Sequence, residues 1–153
     1  MIAVFDGKRI KGHVYFVENN TRNCVDIHVD IQGLKRNAQH GFHIHEYGDL
    51  SEGCESMCAH FNPLGKKHGG PESQERHVGD LGNLITDKDG VARYIFSDNV
   101  IRMYGQKYNI LGRGLIIHED PDDLGEGGNK MSLVTGNAGK RIACAVIGYA
   151  RKK

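Results

Sequence analysis

The sequence predicts an all-β domain, a sandwich or Greek-key barrel with two long functional loops. Three observations carry this. Short segments alternate apolar and polar residues with a period of two, turn signals separate them, and no segment keeps a helical period beyond a turn or two. At 153 residues the chain is long enough to bury a proper core, so residues 1–153 are read as a single domain.

The elements follow in order. "DG" at Asp6–Gly7 marks a tight turn, and "HVYFV" (His13–Val17) reads as a strand after it. "CVDIHVDI" alternates strictly, with Val25, Ile27, Val29 and Ile31 on one face and Cys24, Asp26, His28 and Asp30 on the other. Cys24 is therefore expected to be an exposed thiol. "GFHIHEYGD" (Gly41–Asp49) carries Phe42 and Ile44 toward one side and His43 and His45 toward the other. "GNLIT" (Gly82–Thr86) and "VARYIF" (Val91–Phe96) flank the turn "DKDG" at Asp87–Gly90. "GLIIH" (Gly114–His118) and "IACAVIGY" (Ile142–Tyr149) complete the strands.

Two regions break this rhythm. Residues 47–81 and 119–141 hold almost no strand signal and are rich in Gly, Pro, Asp, Asn and His, and ordered loops of that length are usually functional.

Composition narrows the partners. Twenty basic residues face 19 acidic ones for a formal net charge of +1, which gives no reason to expect nucleic acid, and "RKK" at the C-terminus reads as a solvated tail. No apolar run approaches the length that spans a bilayer, so no membrane partner is expected. Met1–Ile10 lacks a basic segment followed by an apolar run, and a cytoplasmic location is the expectation. Four cysteines (Cys24, Cys54, Cys58 and Cys144) are too few and scattered for a small disulfide framework.

Nine histidines are more than composition would suggest, and their places are selective. The first long loop supplies His60, His68, His77 and Asp80, separated by seven, eight and two residues. Three imidazoles and a carboxylate satisfy tetrahedral zinc, and the glycines between them let the loop fold back on itself. His43 and His45 form a same-face pair, and His118 ends an apolar strand where the second long loop begins.

The segments "GFHIHEYGD", "HFNPLGKKHGGP", "RHVGDLGN", "DDLGEGGN" and "TGNAGKRIACAVIGYA" resemble those of the copper-zinc superoxide dismutases, from about Gly33 to Ala150. The resemblance implies an eight-stranded Greek-key β-barrel. It implies disproportionation of superoxide to dioxygen and hydrogen peroxide, by alternating one-electron reduction and oxidation of a histidine-bound copper. Copper would be held by His43, His45, His60 and His118. Zinc would be held by His60, His68, His77 and Asp80, with His60 shared. Asp122 would link His43 to His68, His40 would lie buried beneath the copper ligands, and Arg141 would stand over the copper to attract and orient the anion. Cys54 and Cys144 would form a disulfide, and a homodimer would assemble through Tyr47–Asp49, Leu111–Gly112 and Gly148–Ala150. A copper chaperone is an expected maturation partner. His13 and His28 match nothing functional and are read as surface residues.

The alternative is a non-catalytic metal-binding relative, a copper-chaperone-type domain or a chaperone decoy. The chain has no "MxCxxC" copper-transfer segment at its start and keeps Arg141 with every copper ligand. Five positions depart from the family's pattern: Cys58, two residues before His60, Tyr149, where the family usually has an aliphatic residue, and Lys130, Met131 and Val134, where the family has two glutamates and a lysine. These last three move the local formal charge from −1 to +1, so an anion should be drawn at least as strongly.

Overall fold

Eight antiparallel strands build the domain in a computed structural model that describes residues 1–151. They are β1 (Ile2–Asp6), β2 (Lys11–Asn19), β3 (Cys24–Gln32), β4 (Gln39–His45), β5 (Asp80–Ile85), β6 (Ala92–Asp98), β7 (Gly114–His118) and β8 (Arg141–Gly148). The order across the sheet is β5-β4-β7-β8-β1-β2-β3-β6, so non-sequential neighbours meet at β4–β7, β1–β8 and β3–β6. The sheet curls into a nearly closed barrel. Its two edges meet at β5 and β6, where the Ile85 amide donates to the Tyr94 hydroxyl at 3.0 Å. The tail residues Lys152 and Lys153 lie outside the described residues.

Alternation fills the interior. Val25, Ile27, Val29 and Ile31 of β3 are all buried in one core cluster with Phe42 and Ile44 of β4 and Leu115 and Ile117 of β7. Each such side chain contributes roughly 1.5–3 kcal/mol on leaving water. β7 spans the expected residues, while β2, β5 and β6 extend or shift by one or two at their ends. β1 carries no segment-level alternation of its own and is held by pairing with both β2 and β8.

Cys24 corrects an expectation. It is a free thiol, but it is 8% exposed rather than open to solvent. As the first residue of β3 it lies under the 19–23 turn, in a recess shared with Asn19, Asn23 and Arg102. End-of-strand coverage overrides the polar-face assignment there. His13 and His28 are half-buried on the barrel wall, and His13 packs edge-on against Tyr15.

The two long loops lie against the outer wall of the barrel. Backbone bonds fasten the first loop to β4, with Ile44 N donating to Gly79 O at 2.9 Å and Phe61 N donating to Ile44 O at 2.8 Å. A disulfide between Cys54 and Cys144 ties the same loop to β8 across a separation of 90 residues. In the chain-entropy model a closure of that size contributes up to about 4–5 kcal/mol. The second loop contains a four-residue helix, α1 (Ser132–Thr135), and crosses to the first where His68 N donates to Leu133 O at 2.9 Å.

Candidate metal centre

His43 and His45 leave β4 on the face opposite Phe42 and Ile44, outside the barrel, yet they are 0% and 1% exposed. The loops supply the cover. Two register shifts put an extra residue on β5 and on β8, bringing Asp80 opposite His43 and Arg141 opposite His118. An extra residue at a bulge locally twists the strand and re-points its side chains. His60 enters from the loop through an isolated bridge to His45.

The rings of His43, His60, His45 and His118 form a distorted square. Taken around the perimeter, their centres are 4.0, 5.0, 5.6 and 4.9 Å apart. The diagonals, His43–His45 and His60–His118, are 6.4 and 6.2 Å. A four-nitrogen square suits Cu(II), which prefers tetragonal sites.

One nitrogen of each wall histidine is already spoken for. His45 Nδ1 donates to Cys58 O at 2.8 Å, His118 Nδ1 donates to Gly139 O at 3.1 Å, and His43 Nε2 donates to Asp122 Oδ2 at 2.6 Å. That leaves His43 Nδ1, His45 Nε2 and His118 Nε2, which are buried and have no hydrogen-bond partner among the described residues. Buried polar atoms without partners are costly, and three converging on one point call for a ligand of their own. Burial, then the neighbouring His60, lowers the His43 imidazole to about 3, and burial lowers His118 to about 4. Both rings are therefore neutral near pH 7 with lone pairs to offer.

The second cluster has the shape of a tetrahedron. Asp80 Oδ1 lies 2.9 Å from His60 Nδ1 and 3.1 Å from His77 Nδ1, and Asp80 Oδ2 lies 3.0 Å from His68 Nδ1. His60 Nδ1 and His77 Nδ1 are 3.3 Å apart. Tetrahedral zinc with bonds near 2.0 Å needs ligand edges of roughly 3.3 Å. His68 Nδ1 approaches Asp80 at that distance without hydrogen-bond alignment. The fit is close.

Asp122 joins the two clusters. Its Oδ2 accepts from His43 Nε2 at 2.6 Å and its Oδ1 accepts from His68 Nε2 at 2.8 Å. Burial alone would raise the Asp122 carboxyl, but these two hydrogen bonds outweigh it and hold the group at about 2. Burial alone would lower His68, but Asp122 and Asp80 together raise it to about 9. Gly136 makes room for this bridge: it ends α1 at φ +66°, and a Cβ there would stand 2.0 Å from Asp122 Oδ1.

Arg141 sits at the mouth. Its Nη1 donates to Cys54 O at 2.7 Å and its Nη2 donates to Cys58 O at 2.5 Å. A cavity of about 430 Å³ opens here, lined by His45, His60, His118, Arg141, Met131 and Val134 among others. His40, 2% exposed, lies beneath, with Nδ1 donating to His118 O at 2.8 Å. Every site residue expected from the sequence thus falls in one connected assembly.

The family model described as copper/zinc superoxide dismutase matches residues 10–147. The chain belongs to the copper/zinc superoxide dismutase family. A superoxide dismutase [Cu-Zn] of Paramecium bursaria Chlorella virus 1 is 60% identical over 99% of this chain and 79% of that protein. An extracellular superoxide dismutase [Cu-Zn] of Drosophila melanogaster is 50% identical over 94% of this chain and 78% of that protein. Among solved structures, the clock protein EA4 superposes with a TM-score of 0.92 at 43% identity, over 96% of this chain and 92% of that one.

As a copper/zinc superoxide dismutase, the chain disproportionates superoxide to dioxygen and hydrogen peroxide with copper and zinc as cofactors. The donor sets fit both ions: a nitrogen square with unpartnered atoms for one, and a carboxylate-bearing tetrahedron for the other.

Arg76 and Asn83 shape this dismutase site without a signal of their own in the sequence, and Cys58, noted there only as a departure, takes a structural role. Arg76, 4% exposed, donates to Asp98 Oδ2 at 2.7 Å and to the carbonyls of Pro71, His77 and Val78, fastening the ligand loop to the end of β6. Asn83 exchanges two hydrogen bonds with the Asp122 backbone. Cys58, at φ +58° and ψ −137°, turns its carbonyl so that both His45 and Arg141 donate to it. That conformation favours glycine, and a side chain there costs on the order of 1–3 kcal/mol.

Proposed function

We propose that His43, His45, His60 and His118 hold the copper and that His60, His68, His77 and Asp80 hold the zinc, with His60 shared between them. The observation that carries this reading is the square of four rings with three buried, unpartnered nitrogens. Bound copper supplies one-electron redox chemistry, and zinc supplies a fixed positive charge that is not redox-active.

The remaining roles belong to the chain. Arg141 draws the small anion into the cavity and orients it with directed N–H groups, braced by the Cys54 and Cys58 carbonyls. His60 directs Nδ1 to the Asp80 cluster, which leaves Nε2 facing the copper side; when no metal occupies it, Nε2 would be the atom that holds and delivers a proton to the departing peroxide. Asp122 fixes the tautomers of His43 and His68, and the Cys58 and Gly139 carbonyls fix those of His45 and His118. A non-catalytic relative would have no use for Arg141 above a complete nitrogen square.

The enzyme works as a homodimer. Tyr47 and Tyr149 are 50% and 73% exposed. The strips that bear them adjoin in space: Gly48 packs on the Gly112 carbonyl, and Gly112 N donates to Ile147 O at 2.8 Å. Exposed aromatics around close-packed glycines suit a self-complementary patch. Delivery of copper by a chaperone belongs to the same reading.

Elemental analysis of a His118→Ala variant tests the assignment. Loss of copper and of activity with zinc retained supports it; full copper occupancy in that variant contradicts it.

A further inference from the structure

We propose that Met131 is a modification site, at which the hydrogen peroxide made by the enzyme converts the thioether to a sulfoxide. The proposal rests on the dismutase activity for its oxidant and on the placement of one sulfur for its selectivity. The chain has four methionines. Met1, Met57 and Met103 are 8%, 0% and 7% exposed, whereas Met131 is 51% exposed. Met131 also lines the cavity that contains His45, His60, His118 and Arg141, so product leaving that cavity passes its side chain.

The chemistry closes without a further reactant. A sulfur lone pair attacks one peroxide oxygen and the O–O bond breaks. The sulfur gives up two electrons to form the S=O bond, and the leaving hydroxide takes the remaining proton to become water. The fold tolerates the change, because Met131 holds α1 through its backbone: its carbonyl accepts from Val134 N at 3.1 Å and from Thr135 N at 2.8 Å. An apolar rim shared with Val134 becomes polar, and a methionine sulfoxide reductase can reverse it. The exposed Cys58 thiol is a separate target; the residue that lines the cavity next to it is Ala59.

Peptide mass mapping of the metal-loaded enzyme decides the matter in two arms, one given hydrogen peroxide directly and one given a steady superoxide source. The expected result in both is one added oxygen on the Met131 peptide, on the order of tenfold above the peptides of Met1, Met57 and Met103. In unfolded protein all four should oxidise alike. The added oxygen should vanish from that peptide in Met131→Leu and be removed by methionine sulfoxide reductase. Equal oxidation of all four methionines in the folded enzyme, or an oxygen that persists in Met131→Leu, overturns the proposal. If the enzyme does not speed the loss of superoxide in that arm beyond its spontaneous decay, the dismutase reading fails, while the direct-peroxide arm still decides Met131.

Discussion

His43 Nε2 and Asp122 Oδ2 lie 2.6 Å apart, both fully buried, and the second oxygen of the same carboxylate reaches His68 2.8 Å away. One side chain from the second loop therefore sets the tautomer of a strand histidine in the square and of a loop histidine in the tetrahedron. Removing it takes a hydrogen bond from two rings at once.

Asp122→Ala should weaken zinc binding by roughly 10–100-fold, the usual consequence of losing a partner behind a metal-ligating histidine. His68 loses one of the two carboxylates that hold it, whereas His43 stays confined by the wall of β4. Competition titration against a chelator of known affinity measures the change. Unaltered zinc affinity would mean that the bridge does not orient His68.

Zinc uptake should depend on pH more steeply than copper uptake. Asp122 and Asp80 keep His68 protonated up to about 9, so below that value zinc must displace its proton, and affinity from this group rises roughly tenfold per pH unit. His43 and His118, at about 3 and about 4, are already neutral above pH 5 and add no such dependence to the square. Calorimetry in two buffers of different ionisation enthalpy counts the protons. Zinc binding to metal-free protein at pH 7 without proton release would contradict the His68 assignment.

Arg141→Ala should lower the rate at subsaturating superoxide by roughly tenfold or more while both metals stay bound. The guanidinium's hydrogen bonds go to the Cys54, Cys58 and Glu55 carbonyls, and it pairs loosely with the Glu55 carboxylate at 3.8 Å. Pulse radiolysis with parallel metal analysis tests this, and an unchanged rate constant would remove Arg141 from the mouth of the site.

Lys130→Glu should slow the enzyme at low salt and have a smaller effect as ionic strength rises, because the Debye length falls to about 10 Å at 0.1 M. Lys130 is exposed and precedes Met131 on the rim, so the substitution changes the local formal charge by −2 close to the cavity. Equal rates for the two proteins at low salt would assign the attraction to Arg141 and the metals alone.

Part of the candidate ligand set was legible in the strand pattern of the sequence. Alternation puts His43 and His45 on one side of β4, and "GLIIH" places His118 at the end of β7. The resemblance to the dismutases then paired Cys54 with Cys144 and put Asp122 between the clusters, and both are found so. What stayed hidden depends on contacts distant in sequence. The nitrogen each ring presents is set by carbonyls at Cys58 and Gly139, which belong to loops with no periodicity. Arg76 looks like any loop cation until Asp98, at the far end of β6, is beside it. Cys24 was misplaced because strand alternation knows nothing of the turn that covers its end.

The central claim is tested most directly by counting metals and activity on the same sample. Loaded with both ions, the purified chain should hold one copper and one zinc and should consume superoxide with release of peroxide. A protein that binds zinc alone after copper loading, or that binds both and leaves superoxide to its spontaneous decay, would contradict the account.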